Sequence, residues 1–183
     1  MALTLTKEDG TGKADANSYA SVADGDAYHE GHLYATAWTG STTANKEKAL
    51  VFATRLIDAE WRFRGAKLSG AQSLQWPRSD CPDLDAAGRS SSPLLGGWRD
   101  GMLPSDAVPS AVVQATCEQA RELILLDRTA NPLGEGLLSS KLGDTAQTFD
   151  KSDRRPILSR LVQSLLAKLG SSVHGATVSL RRV

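Results

Sequence analysis

The chain has 183 residues, of which 40% are apolar and only 5% aromatic, and it carries 21 basic and 21 acidic side chains. This length suits one domain with appendages, and the apolar content predicts a modest core that favours burial against other subunits. A formal charge of zero excludes a strong overall field that would draw the protein to nucleic acid or to an anionic membrane.

The charges are distributed unevenly along the chain. Residues 1–44 hold two basic and six acidic residues, for a net charge of −4, whereas residues 151–183 hold seven basic and one acidic residue, for a net charge of +6. Chain ends of opposite charge favour head-to-tail contacts between copies, or contact with a separate acidic partner. Because the apolar runs are shorter than the about 20 residues that span a bilayer, and the N-terminus lacks a signal-peptide pattern, we expect no membrane partner and no export.

Two amphipathic helices are predicted in the N-terminal half of the chain. Ser21 and Asp24 resemble a capping box, in which the hydroxyl accepts a free amide proton and the acid sits at the positive end of the helix, so a short helix is expected over about residues 22–29. A longer helix is predicted over about residues 44–61, where apolar residues recur every three or four positions and end at Trp61. That apolar stripe is expected to face the core.

Two further helices are predicted in the C-terminal half. Residues 79–105 are dense in Gly, Pro, Ser and Asp and predict a long loop. Pro109 marks the first turn of the third helix, which is expected to end by about residue 128. Pro156 opens the fourth helix, which carries the strongest apolar stripe of the chain, and Gly170 is expected to be its C-terminal stop.

Two extended segments complete the predicted architecture. Residues 137–150 have a Gly-Asp pair between short alternating stretches, which predicts a small hairpin that is too poor in apolar residues to be stable alone. Residues 171–183 are interpreted as an extended arm that adds a strand to a partner's sheet. The expected fold class is therefore mainly α: a bundle of about four helices over residues 1–170, with a projecting hairpin-like loop at 138–150 and a C-terminal arm.

The residues that usually perform catalysis or bind metal are few and scattered. His29 and His32 could share a helix face, but no third ligand is evident, and hydrogen-bonded or solvated histidines are the favoured interpretation. Cys81 and Cys117 show no metal-binding spacing, and a disulfide between them is disfavoured in a reducing compartment. The glycines of residues 10–12 lack the spacing of a phosphate-binding loop. We therefore expect no catalytic residues, no cofactor and no metal.

A cluster of arginines and aromatic residues leaves two interpretations open. In the first, the aromatic rings form a stacking platform for single-stranded DNA, flanked by arginines that neutralise phosphates. The candidate contacts are Arg62, Arg64, Trp76 and Arg78. In the second, Trp61 completes the core stripe and Trp76 and Trp98 anchor the long loop on the helices, with arginine stems covering the aromatic faces. The zero net charge favours the second interpretation.

The order of several short motifs resembles a known family. These motifs are the Ser-Tyr-Ala-Ser-Val-Ala-Asp helix at 18–24, the Trp-Arg-Phe-Arg-Gly run at 61–65, the QSLQWPR segment at 72–78, Leu103 and Pro104 before the Pro109 helix start, and the Lys141-Leu142-Gly143 turn. Together they resemble the head-tail connector, or adaptor, proteins of tailed bacteriophages, many of which are labelled DnaT-like single-stranded DNA-binding proteins.

The resemblance implies a structural virion protein. It would form a ring, typically of twelve copies, beneath the portal protein at the capsid vertex, would contact the next neck or tail-completion protein, and would let double-stranded genomic DNA pass through the lumen. The residues implied in portal or neighbour-subunit contact are Lys141, Leu142, Gly143, Val173, Val178, Leu180, Arg181 and Arg182. The alternatives are a single-stranded DNA-binding replication accessory protein and a neck protein one layer further from the capsid.

Overall fold

The computed structural model describes residues 3–86, 101–130, 139–142, 145–148 and 155–174. Within these ranges the chain is mainly helical and has small, two-stranded antiparallel sheets, which agrees with the predicted fold class. The helices are α1 (Val22–Glu30), α2 (Thr36–Thr39), α3 (Thr43–Glu60), α4 (Ser110–Leu125) and α5 (Arg160–Leu166). The strands are β1 (Trp61–Phe63), β2 (Ala66–Lys67), β3 (Arg78–Ser79), β4 (Ser139–Leu142), β5 (Thr145–Thr148) and β6 (Gly170–Ser172). No helix in the described ranges is long and apolar enough to cross a membrane.

The helix starts follow the capping residues that the sequence indicates. The Ser21 hydroxyl accepts the Asp24 amide proton at 3.2 Å, and the Asp24 carboxylate accepts the Ser21 amide proton at 2.7 Å, which confirms the predicted capping box. The Thr42 hydroxyl caps α3 by accepting the Asn45 amide proton. Pro109 is the N-cap residue of α4, so the predicted helix start at this position is confirmed.

The end of α3 differs from the prediction. Trp61 is extended rather than helical, with φ −123° and ψ 127°, and it begins β1, which pairs antiparallel with β6. Its ring is still buried in the main core, together with residues of α4 and α5. Gly170 is opposite Phe63 in this pair, and a Cβ at Gly170 would lie 2.2 Å from the Arg62 carbonyl oxygen. This glycine therefore permits close strand approach and does not terminate a helix.

A second core cluster lies where α1, α2 and α4 meet α3. Its largest side chain is Trp38, which is fully buried together with Leu50 and Cys117. Gly25 of α1 faces this ring so closely that a Cβ at residue 25 would lie 2.3 Å from Cζ2 of Trp38. The short helix α2, which the sequence did not predict, positions Trp38 in the cluster.

The fourth predicted helix is shorter than expected. It begins only after Ser159, whose hydroxyl accepts the Val162 amide proton. The Gln119 side chain donates to the Ile157 carbonyl at 3.0 Å and accepts the Ser159 amide proton at 3.2 Å. Because these two bonds use the backbone of residues 157–159, the chain stays outside the helix until Arg160.

The two predicted extended segments have different outcomes. The hairpin is confirmed, since β4 pairs antiparallel with β5 and Leu142 is opposite Thr145. The arm prediction is wrong at its start, because β6 pairs with β1 of the same chain and the Val173 amide donates to the Glu60 carbonyl at 2.9 Å. Residues 175–183, which include four of the predicted contact residues, lie outside the described residues.

The two described parts of the predicted long loop are joined by backbone hydrogen bonds. The Leu103 amide donates to the Cys81 carbonyl at 2.9 Å, and the Asp83 amide donates to the Gly101 carbonyl at 2.6 Å. Residues 87–100 lie outside the described residues. Both Cys81 and Cys117 are buried and free.

Candidate nucleic-acid interface

The aromatic rings of the predicted stacking platform are buried in the core. Trp76 has no exposed surface, and Trp61 and Phe63 are each 6% exposed. The rings of Phe63 and Trp76 meet edge to face, with their centroids 5.7 Å apart. A ring that stacks on a base must present its face to solvent. Trp76 therefore cannot be a direct DNA contact in this fold, and that part of the candidate set is corrected.

Arg78 is also a structural residue. It is buried, and its guanidinium donates to the carbonyls of Arg64 and Gly65 at 2.7 Å each and to the Gln75 carbonyl at 3.1 Å. The planar fork of arginine suits this arrangement of several acceptors. Because its donors are occupied by the backbone around β1, Arg78 is removed from the candidate DNA contacts.

Arg62 and Arg64 are arranged differently. Side chains alternate along a strand, so the inward positions of Trp61 and Phe63 place Arg62 on the outer side of β1, where it is exposed. Arg64 is exposed as well, and its guanidinium donates to the Lys168 carbonyl at 3.2 Å. The two exposed arginines are therefore two positions apart, with Arg62 on the outer side of β1 and Arg64 directly after the strand.

Lys168 is next to Arg64 through its backbone carbonyl, and we call Arg62, Arg64 and Lys168 the β1–β6 basic face. The Lys168 ammonium contacts the Asp85 carboxylate at 2.5 Å, and both side chains are more than half exposed. Exposed ion pairs of this kind contribute about 0 to 1 kcal/mol, so Asp85 holds the ammonium only weakly. Lys168 was missed from the sequence because only the pairing of β6 with β1 brings it to the arginines.

One buried thiol, that of Cys81, lies within electrostatic range of Arg64. Burial raises the pKa of the Cys81 thiol, which keeps it protonated although Arg78 and Arg64 act in the opposite direction. Within the described ranges, no group of three or more His, Cys, Asp or Glu side chains is arranged to hold a metal ion.

The fold and this surface define a small, mainly helical protein with a basic face on a strand pair. The family model described as "Putative DnaT-like ssDNA binding protein" matches residues 3–183, and the chain belongs to that family. The chain has no significant match among curated proteins or among solved structures.

This family match overturns the connector interpretation. The matching family is described by single-stranded DNA binding and not as a head-tail connector, so the predicted ring of twelve copies, portal protein, neck partner and DNA-filled lumen are wrong. The residues assigned to portal or neighbour contacts lose that role. Of these, Lys141 and Leu142 lie in β4 and Val173 follows β6, whereas Gly143, Val178, Leu180, Arg181 and Arg182 lie outside the described residues. The predicted virion location stays a prediction.

Proposed function

We propose that the protein binds single-stranded DNA through the β1–β6 basic face. The observation that carries the proposal is the family match over residues 3–183, and the exposed arginine pair gives it a location. Among the four candidate contacts taken from the sequence, Arg62 and Arg64 are the exposed ones, whereas Trp76 and Arg78 are buried.

The geometry of the face suits a phosphate backbone. Residues two apart on a strand are about 6.6 Å apart, which is comparable to the separation of adjacent phosphates in an extended single strand. Arginine can donate two parallel hydrogen bonds to one phosphate, and such charge-assisted bonds are stronger than neutral ones. The positive charge of the face then attracts the phosphates, although the chain as a whole has no net charge.

The helices have a supporting role in this proposal. A bundle of about four principal helices buries the inner side of β1 against α4 and α5, and thereby holds Arg62 on the outer side. The proposal assigns binding without catalysis, since the face offers cations and no nucleophile or general base.

The test is fluorescence anisotropy with a labelled oligothymidine at several salt concentrations. The double variant Arg62→Ala/Arg64→Ala should weaken binding by about tenfold or more, as expected for the loss of two charge-assisted contacts. It should also reduce the slope of log K against log salt by about 1.4, since each phosphate contact on a single strand contributes about 0.7.

Lys48→Ala is the matched control. Lys48 is exposed on α3, and its position is about 18 Å along the helix from the end at Glu60, at 1.5 Å per residue. This variant removes one charge but should leave the affinity nearly unchanged. Absence of binding by the unaltered protein at low salt, or equal losses in both variants, would contradict the proposal.

A further inference from the structure

Arg64 of the β1–β6 basic face is held by hydrogen bonds at three points. Its amide donates to the Leu169 carbonyl at 2.9 Å, and its carbonyl accepts a hydrogen bond from Nε of Arg78 at 2.7 Å. Its guanidinium donates to the Lys168 carbonyl at 3.2 Å. This last bond uses one of the five N–H donors of the guanidinium, whereas a bidentate contact with a phosphate needs two. The direction of the exposed side chain is therefore set by its backbone.

The chain turns sharply directly after Arg64. Gly65 has a φ of +74°, in the left-handed region that favours glycine. A Cβ at this position would lie 2.2 Å from the Ser79 carbonyl oxygen, so the turn is packed closely against β3. Nη2 of Arg78 donates to the Gly65 carbonyl at 2.7 Å. One buried guanidinium thus bonds to the carbonyls of both residues at which the chain turns.

Arg78 is in turn fixed from its other side. Its Nη1 donates to the backbone carbonyl and to the side-chain oxygen of Gln75, at 3.1 Å each. All three nitrogens of the guanidinium therefore take part in hydrogen bonds, in the planar fork that arginine provides. Lysine carries the same charge on a single nitrogen, so it cannot make this set of bonds.

From these contacts we infer that Arg78 is a positioning residue of the β1–β6 basic face, which orients Arg64 for a phosphate and does not touch the DNA itself. A side chain that is already oriented loses less conformational entropy when it binds, so the orientation strengthens binding. This inference rests on the proposed function and adds to it the residue through which the fold controls one of the DNA contacts.

The experiment is a double-mutant cycle, measured by fluorescence anisotropy with labelled oligothymidine. It compares the unaltered protein, Arg78→Lys, Arg64→Ala and the double variant. Arg78→Lys should weaken binding by about three- to tenfold when Arg64 is present, and by less than about twofold when residue 64 is alanine. Because Arg78→Lys keeps the net charge, the long-range attraction of the DNA is the same in both proteins.

The salt dependence gives a second measurement that a general loss of stability would not change. Each phosphate contact on a single strand contributes about 0.7 to the slope of log K against log salt. Arg78→Lys should therefore reduce the slope by about 0.7 when Arg64 is present, and leave it unchanged in the Arg64→Ala background.

The outcomes separate the inference from the proposed function. Equal losses of affinity in both backgrounds would mean that Arg78 acts on the whole fold, and no loss in either would mean that Arg64 needs no positioning. Each result overturns the inference while the proposed function stands. If the unaltered protein does not bind at low salt, the proposed function fails and the inference fails with it.

Gly25→Ala is the control for stability. It disturbs the core cluster around Trp38, where a Cβ would lie 2.3 Å from the indole ring, and leaves the contacts of Arg78 intact. Its affinity for oligothymidine should stay within about twofold of the unaltered protein, and a loss as large as that of Arg78→Lys would overturn the inference. Circular dichroism in the binding buffer checks that each variant is folded. If Arg78→Lys is unfolded there, Gly65→Ala takes its place in the cycle with the same expected results, because it disturbs the same turn.

Discussion

The hydroxyl of Tyr19 donates to Oδ1 of Asp58 at 2.5 Å, and this pair holds the segment that carries Trp76. The Gln75 amide donates to the Tyr19 oxygen at 3.0 Å and to Oδ2 of Asp58 at 3.1 Å. The Trp76 amide donates to the Tyr19 oxygen at 3.2 Å. One buried tyrosine thus connects the N-terminal segment, α3 and the chain beneath β1.

Replacing Tyr19 by Phe should destabilise the protein by about 2 to 3 kcal/mol. The change removes one hydroxyl, leaves the Trp76 amide without its acceptor, and takes from the buried Asp58 carboxyl group one of its two donors, since the Gln75 amide stays bound to it. The free energy of unfolding from urea denaturation measures the effect. The control is Tyr34→Phe, the same chemical change at an exposed residue, which should cost less than about 0.5 kcal/mol. Equal effects at both sites would contradict the role given to the pair.

The stability of the Tyr19–Asp58 contact should depend on pH. Burial raises the pKa of Asp58 from 3.8 to about 6, against the opposing effect of its hydrogen bonds. The folded state therefore favours the protonated acid, so the stability from this group is present below pH 4 and is lost as the pH rises to about 6.

The difference between the unaltered protein and Asp58→Asn isolates this effect, because other titrating groups cancel. Urea denaturation at pH 4 and at pH 7 should show that the substitution lowers the free energy of unfolding by more at pH 4 than at pH 7. A cost that grows with pH would mean that the folded state favours the carboxylate, and would contradict the raised pKa.

Arg78→Lys and Arg62→Lys should distinguish an arginine that stabilises the fold from one that is free to bind DNA. Lysine keeps the charge but cannot supply the fork that reaches three carbonyls, so Arg78→Lys should lower the free energy of unfolding by about 2 to 3 kcal/mol. Arg62 is exposed, and its replacement should change stability by less than about 0.5 kcal/mol. Urea denaturation measures both. If Arg78→Lys weakened DNA binding with no loss of stability, Arg78 would belong to the interface after all.

Gly25→Ala should destabilise the cluster around Trp38 by about 1 to 3 kcal/mol, the usual cost of overpacking, because the new methyl group overlaps the indole ring. Gly31→Ala is a matched control at the end of the same helix, where a Cβ has nothing within 4 Å. The control should leave the stability of the protein nearly unchanged. Thermal unfolding followed by circular dichroism compares the two, and an intact melting temperature for Gly25→Ala would show that Trp38 can move aside.

Local sequence signals predicted much of this fold because they act over one turn of helix. The capping pair Ser21 and Asp24, the Pro109 start and the alternating residues of the hairpin each specify their element through near neighbours. The start of α5 was not predictable in this way, since Gln119 of another helix holds the backbone of residues 157–159.

The candidate site was predictable only in part. Arg62 and Arg64 were identified because arginines close to aromatic residues are visible in the sequence. The sequence did not show which of the neighbouring rings were buried, because an apolar ring beside a cation suits either a core or a stacking surface. Lys168 gave no local signal, because it reaches the arginines through strand pairing.

Residues 61–63 pair with residues 170–172, so the two halves of the basic face are made roughly 110 residues apart. Contacts between such distant positions carry a larger entropy cost of closure than local contacts, and they slow folding. A chain still leaving the ribosome therefore carries Arg62 and Arg64 long before it has the strand that arranges them. Under the proposed function, affinity for single-stranded DNA therefore depends on the finished fold and not on the two arginines alone.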